Sequence, residues 1–261
     1  MKKIQFLILL FTIAAGFNSL AVQLEKSRTD NPGKIKILVL TERGGQHESF
    51  TSAAIQWLDA EKENLNIEWT EINNTKPVNE AYLGQFQLIL QLDYPPYSWT
   101  PEAQSAFIRY IDEGRTGWIG FHHATLLGEF DGYPMWNWFS DFMGGIRFQN
   151  YIAQLADGTV RVEDTSHPVM HGVSSSFTLC ADEWYTFDKS PRPNVQVLAN
   201  VDESSYLPQT DIKMGDHPVV WVNGQKKARN VYFLMGHSNR LFESADFKTM
   251  FANAIRWAGN K

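Results

Sequence analysis

Residues 118–124 read Trp-Ile-Gly-Phe-His-His-Ala, an apolar run that ends in two imidazoles and a small residue. A continuous apolar run describes a strand covered on both faces, as in a parallel sheet flanked by helices. Ligands of such sheets bind beyond the carboxyl ends of the strands, so His122 and His123 fall where this architecture places its chemistry. One buried, hydrogen-bonded histidine beside one exposed histidine is the purely structural alternative.

The flanking segments extend the pattern. Residues 34–41 predict a strand, 42–47 a polar turn containing Gly44 and Gly45, and 50–62 a helix. Residues 66–72 and 86–92 predict two more strands, the second ending at Asp93-Tyr94. Thr100-Pro101-Glu102 carries the marks of a helix start: an N-cap threonine, a proline in the first turn and an acidic neighbour. That helix runs to Glu113 and stops at Gly114, and residues 116–121 are the fourth strand. Alternating strands and helices imply right-handed crossovers and a mainly parallel sheet. The loops after strands one, three and four then share one rim. His47, Asp93, Tyr94, His122 and His123 are expected to converge there.

The second half is richer in strands and less regular, with candidates at 147–152, 158–162, 177–180, 195–199, 217–222 and 230–235. Residues 246–258 close the chain as an amphipathic helix. His237 follows the strand ending at Met235, and His217 precedes Pro218 at another strand edge. His167 and His171 are assigned structural roles. Asp182-Glu183-Trp184-Tyr185 sets carboxylates beside aromatic rings, and a carboxyl group buried there would have a raised pKa suited to general acid or base work. Two solvated carboxylates on a surface turn are the alternative.

Lys2 and Lys3, the apolar run to Phe17 and Ser19-Leu20-Ala21 have the form of a secretory leader. The expected organisation is a leader at 1–21, a short linker at 22–33 and one domain at 34–259. The expected location is the periplasm or outside the cell. Losing the two leader lysines takes the formal charge from −6 to −8, 21 basic against 29 acidic side chains. With no basic tract, nucleic acid has no electrostatic support as a partner. The apolar run is short for a membrane span, and no stable span is expected after the leader is cleaved. The single Cys180 excludes an internal disulfide and reads as packed. Oligomeric state is not specified.

No Gly-x-Ser-x-Gly elbow, Walker loop or dinucleotide glycine pattern is present. A divalent metal such as zinc has no His-Glu-x-x-His helix to bind. A site from His47, one of His122 and His123, Glu183 and His237 is sterically open, though the sequence does not demand it. His122 and His123, as neighbours, cannot serve one ion without an elbow.

The chain resembles the ThuA-like (trehalose-utilisation) proteins over residues 34–259. The resemblance is carried by Gly120-Phe121-His122-His123-Ala124, His167-Pro168-Val169-Met170-His171-Gly172, Asp182-Glu183-Trp184-Tyr185, Pro218-Val219-Val220-Trp221 and the stretch from Gly236-His237 to Gly259. It implies a flavodoxin-like, class I glutamine amidotransferase-like fold, a three-layer α/β sandwich. In the amidotransferases the elbow after the central strand carries a nucleophilic cysteine. Here that elbow reads His-His, so glutamine hydrolysis is not expected. The resemblance also implies disaccharide or glycoside catabolism, including oxidised (3-keto) sugars, with a small carbohydrate as ligand. His123 or Glu183 would serve as base or acid, and His122 and His237 would polarise a carbonyl. Trp184, Tyr185 and Trp221 would stack on the sugar, with His47, Asp93, Tyr94 and His217 at the binding surface. The alternatives are a non-catalytic saccharide-binding module and a metal-dependent hydrolase.

Overall fold

In the computed structural model, which describes residues 33–260, β1 (Ile35–Thr41) is followed by α1 (Glu48–Glu61), β2 (Ile67–Ile72) and the short α2 (Glu80–Leu83). Then come β3 (Leu88–Leu92), α3 (Pro101–Glu113), β4 (Gly117–Phe121) and α4 (Asn137–Phe142). The second half holds β5 (Phe148–Tyr151), β6 (Ala156–Val162), β7 (Ser176–Asp182), β8 (Tyr185–Phe187), β9 (Gln196–Leu207), β10 (Pro218–Val222), β11 (Asn230–Phe233) and α5 (Ala245–Gly259). The expected leader and nearly all of the linker lie outside the described residues.

The main sheet has nine strands in the order β2-β1-β3-β4-β11-β10-β9-β6-β7. β2, β1, β3, β4 and β11 run parallel, as strand–helix alternation requires. From β10 to β7 every neighbour is antiparallel, forming a wing on the parallel half. β5 and β8 pair separately.

Period-2 alternation along β4 explains the layers. Trp118 packs on Phe107 of α3 and Phe142 of α4. Phe121, on the opposite face, meets Phe50 of α1 and Phe251 of α5. Each face of the sheet therefore has its own aromatic cluster beneath helices, the three-layer arrangement. Gly120 is needed because a Cβ there would come within 2.2 Å of the Trp118 ring. Thr100 caps α3 by accepting from Ala103 N–H, and Gly114 ends it in the left-handed region at φ 68°.

Four elements differ from the sequence expectation, one of them the three-residue β8, which no candidate strand covered. β9 is twelve residues long, since the polar stretch beyond Ala199 stays in the ladder against β6. The short α2 and α4 had no periodic signal long enough to announce them. Among the described residues no helix is long and apolar enough to cross a membrane.

Candidate functional site

The carboxyl ends of β1, β3, β4 and β11 deliver their loops to one rim, and the loop after β7 joins them there. Arg43 secures the β1 loop by donating to Glu71 and Glu48. His47 occupies the N-cap position of α1, yet its side chain caps nothing and faces the other histidines. Its ring centre lies 4.5 Å from that of His123, 5.2 Å from His122 and 5.0 Å from His237.

β4 turns sharply at its end. His122 has φ 39°, and Asp93 and Ala181, at the ends of β3 and β7, have φ 55° and 51°. Non-glycine residues in this region are uncommon and collect where a site forces the backbone. Here the distortion at His122 sends adjacent imidazoles to different partners. The Nδ1–H of His122 donates to the Leu234 carbonyl at 2.8 Å, and its Nε2 lies 3.1 Å from Glu183 Oε2. His123 Nδ1 lies 2.6 Å from Glu42 Oε2 and 3.1 Å from the Asp93 carbonyl, so it carries the hydrogen and Nε2 keeps the lone pair.

Glu42 is the anchor of this arrangement. Its Oε2 accepts from both His123 and His47, the latter at 3.0 Å. Burial raises its pKa, but the hydrogen bonds and charges of the two imidazoles outweigh that and hold the carboxyl at about 2. Glu183 is different: burial lifts it above the ordinary value despite the nearby histidines. Burial also lowers His237 to about 4 and drives His122 well below the ordinary imidazole value. Asp182 is pushed up by burial to about 7, against the N–H groups of Gly236, His237 and Ser238 that donate to it at 3.1, 3.0 and 2.9 Å.

Of these groups Glu42, His47, His123 and Glu183 open on a cavity of about 360 Å³, lined also by Gln46, Leu126, Phe148, Tyr151 and Tyr185; His122, His237 and Asp182 stand behind its wall. That volume lies at the small-molecule end of ligand sites. Phe148 and Tyr185 meet edge to face at 4.9 Å, giving the cavity an aromatic wall beside its charged one.

Several residues expected at the binding surface lie elsewhere. Trp184 is fully buried and its indole N–H donates to the Ala156 carbonyl, so it is core. Trp221, also buried, packs on Tyr232 at 4.4 Å. Tyr94 is buried against Trp99. Asp93 is completely buried under the rim, where its backbone carbonyl orients His123. His217 is completely buried and donates from Nε2 to the Tyr185 carbonyl at 2.8 Å, supporting that residue from behind. None of the five lines the cavity. Glu42, Phe148 and Tyr151 were not singled out in the sequence. Glu42 had a signal, being the first residue past β1 on the shared rim. The β5–β8 pairing that brings in Phe148 and Tyr151 had none.

Fold and site together define an α/β protein with a mainly parallel sheet flanked by helices, whose elbow after β4 carries two imidazoles. Residues 36–258 match the ThuA family, described as trehalose utilisation, and the chain belongs to that family. A ThuA-like protein from Bacteroides uniformis superposes with TM-score 0.74 and 26% identity, covering 87% of this chain and 91% of the other. A Thermoplasma acidophilum protein described as part of a GMP synthase shares the fold at TM-score 0.53 and 11% identity, over 85% and 92% of the two chains. The carbohydrate deacetylase Agd3 matches at TM-score 0.56 and 13% identity, over 86% of this chain and 32% of its own. No curated protein sequence matches the chain.

Proposed function

We propose that this protein is an exported carbohydrate-processing enzyme that moves a proton next to the carbonyl of a small, oxidised (3-keto) sugar. The observation that carries this is the placement of His123 and Glu183 on one cavity, His123 with its Nδ1–H held by Glu42 and Glu183 beside His122. Family membership supports a sugar ligand, and the leader-like N-terminus supports export.

His123 is the base. Its Nδ1–H rests on the Glu42 carboxylate, which stabilises the imidazolium that forms, and Nε2 takes the proton from the carbon beside the ketone. The C–H electron pair becomes the carbon–carbon double bond of an enolate, and the ketone oxygen takes the negative charge. Glu183 lies on the same cavity, beside His122 and His237. Collapse of the enolate restores the ketone, shifts the carbon–carbon double bond onto the carbon that carried the glycosidic oxygen to leave an unsaturated ketone, and breaks that carbon–oxygen bond; the departing oxygen takes the proton held by His123. Tyr185 and Phe148 supply a wall for the sugar ring.

A proton NMR time course in heavy water, with disaccharides and their 3-keto derivatives, tests this. The expected result is exchange of the proton beside the ketone, followed by cleavage. In His123→Gln both slow by about 100-fold or more. Undiminished exchange in His123→Gln and Glu183→Gln overturns the assignment. Selective broadening of ligand signals with no chemical change identifies a saccharide-binding module instead.

A further inference from the structure

We propose that His47, His122, Glu183 and His237 hold one divalent transition-metal ion of the zinc class. One ligand atom from each of the four lies within 4.8 Å of the other three. Two separate geometric measures agree with a tetrahedral centre. Imidazoles bound at the usual zinc–nitrogen length of about 2.0–2.1 Å have ring centres about 5 Å apart. The three here are separated by 5.2, 5.0 and 5.7 Å. Adjacent ligand atoms at that radius lie about 3.4 Å apart, and Glu183 Oε2 lies 3.1 Å from His122 Nε2 and 3.6 Å from His237 Nδ1.

The outer hydrogen bonds already select the tautomers a metal needs. Leu234 O and Glu42 hold the Nδ1–H of His122 and of His47, so both rings keep a lone pair at Nε2. His47 Nε2 and His237 Nδ1 are buried with no hydrogen-bond partner, an arrangement proteins avoid. The bare Nε2 of His122 faces the carboxylate of Glu183 at 3.1 Å, lone pair against lone pair. A cation among the four atoms satisfies all of them at once. Three imidazoles and one carboxylate suit zinc better than calcium or magnesium, which require oxygen ligands. The ion's task, receiving the charge on the ketone oxygen, rests on the function proposed above; the binding site rests on its own geometry.

The test uses protein purified without a histidine tag, stripped with chelator and titrated with Zn²⁺, then with Co²⁺ for its visible absorption. The expected result is one ion per chain, with the intense Co²⁺ spectrum of a tetrahedral or five-coordinate centre. Glu183→Gln, close in shape to the wild type, and His47→Gln should each weaken binding by about 100-fold or more. Glu42→Gln should weaken it by about 10–100-fold through the lost orientation of His47. His171→Gln, outside the cluster, should bind as the wild type does. Folded wild-type protein that takes up no stoichiometric ion overturns the proposal. So does binding unchanged in both Glu183→Gln and His47→Gln. Metal uptake without sugar turnover leaves the site standing and removes only the sugar chemistry; turnover undiminished in metal-free protein leaves the site and the sugar chemistry standing and removes only the ion's part in that chemistry.

Discussion

Glu42 shows how one side chain sets the chemistry of others. It is the shared acceptor of His47 and His123, fixing the tautomer of both. Its folded pKa of about 2 lies below the ordinary 4.5. The folded state therefore binds this proton more weakly than the unfolded chain does. The stabilisation is fully present above pH 4.5 and is lost as pH falls through about 2. Its side chain is 30% exposed, so about 1–2 kcal/mol is the appropriate size after allowance for solvent screening. In Glu42→Gln this part of the acid sensitivity should vanish from urea midpoints measured against pH. A midpoint that still falls with the wild-type slope assigns the acid sensitivity to other groups. At this scale the sequence showed the histidines because histidine beside a strand end is conspicuous. It could not show that Asp182 and Glu183, adjacent and alike in charge, face different tasks. Ala181 with its positive φ decides that, and alanine carries no signal for such a conformation.

Elements were easier to foresee than their contacts. The parallel half followed from strand–helix rhythm, and the helix beginning at Thr100 from its cap, because both signals are local. The antiparallel wing was harder: β9 extends past the expected strand at 195–199 through Asp202, Glu203 and Ser204, with Val201 and Tyr206 buried along it. The turn after β11 shows how tightly the elements meet. A Cβ on Gly236 would stand 2.7 Å from the Cβ of His122 and 3.3 Å from Asp93 Oδ1. Neither neighbour can yield without moving the β4 elbow. Gly236→Ala should therefore lose about 1–3 kcal/mol in denaturant unfolding, with a matching fall in turnover. Unchanged stability would mean that the elbow has more room than its packing indicates.

Across the whole molecule, the notable fact is where Glu183 originates. β7 is the last strand of the sheet order, five places from β4, yet the residue after it touches His122. The sheet and its following loop must curl until the far edge meets the middle of the rim. No local pattern encodes such a meeting, which is why Phe148 and Tyr151 of the cavity wall were missed while Tyr185 was expected. An ion held by His47, His122, Glu183 and His237 would tie four sequence-distant segments together. Saturation at about 1,000 times the dissociation constant adds about 4 kcal/mol to folding stability. Chelator-treated protein should accordingly melt earlier in calorimetry and recover on adding one equivalent of Zn²⁺. Identical melting curves would show that no ligand couples these segments.

Asp182 adds a mechanical consequence. By gathering three consecutive backbone N–H groups of residues 236–238, it fastens the end of the wing to the loop that carries His237. Its neighbour Glu183 is thereby clamped at a set reach from that histidine. The pocket has a clasp on its seam, and variation in the walls that choose the substrate can proceed without loosening the groups that act on it.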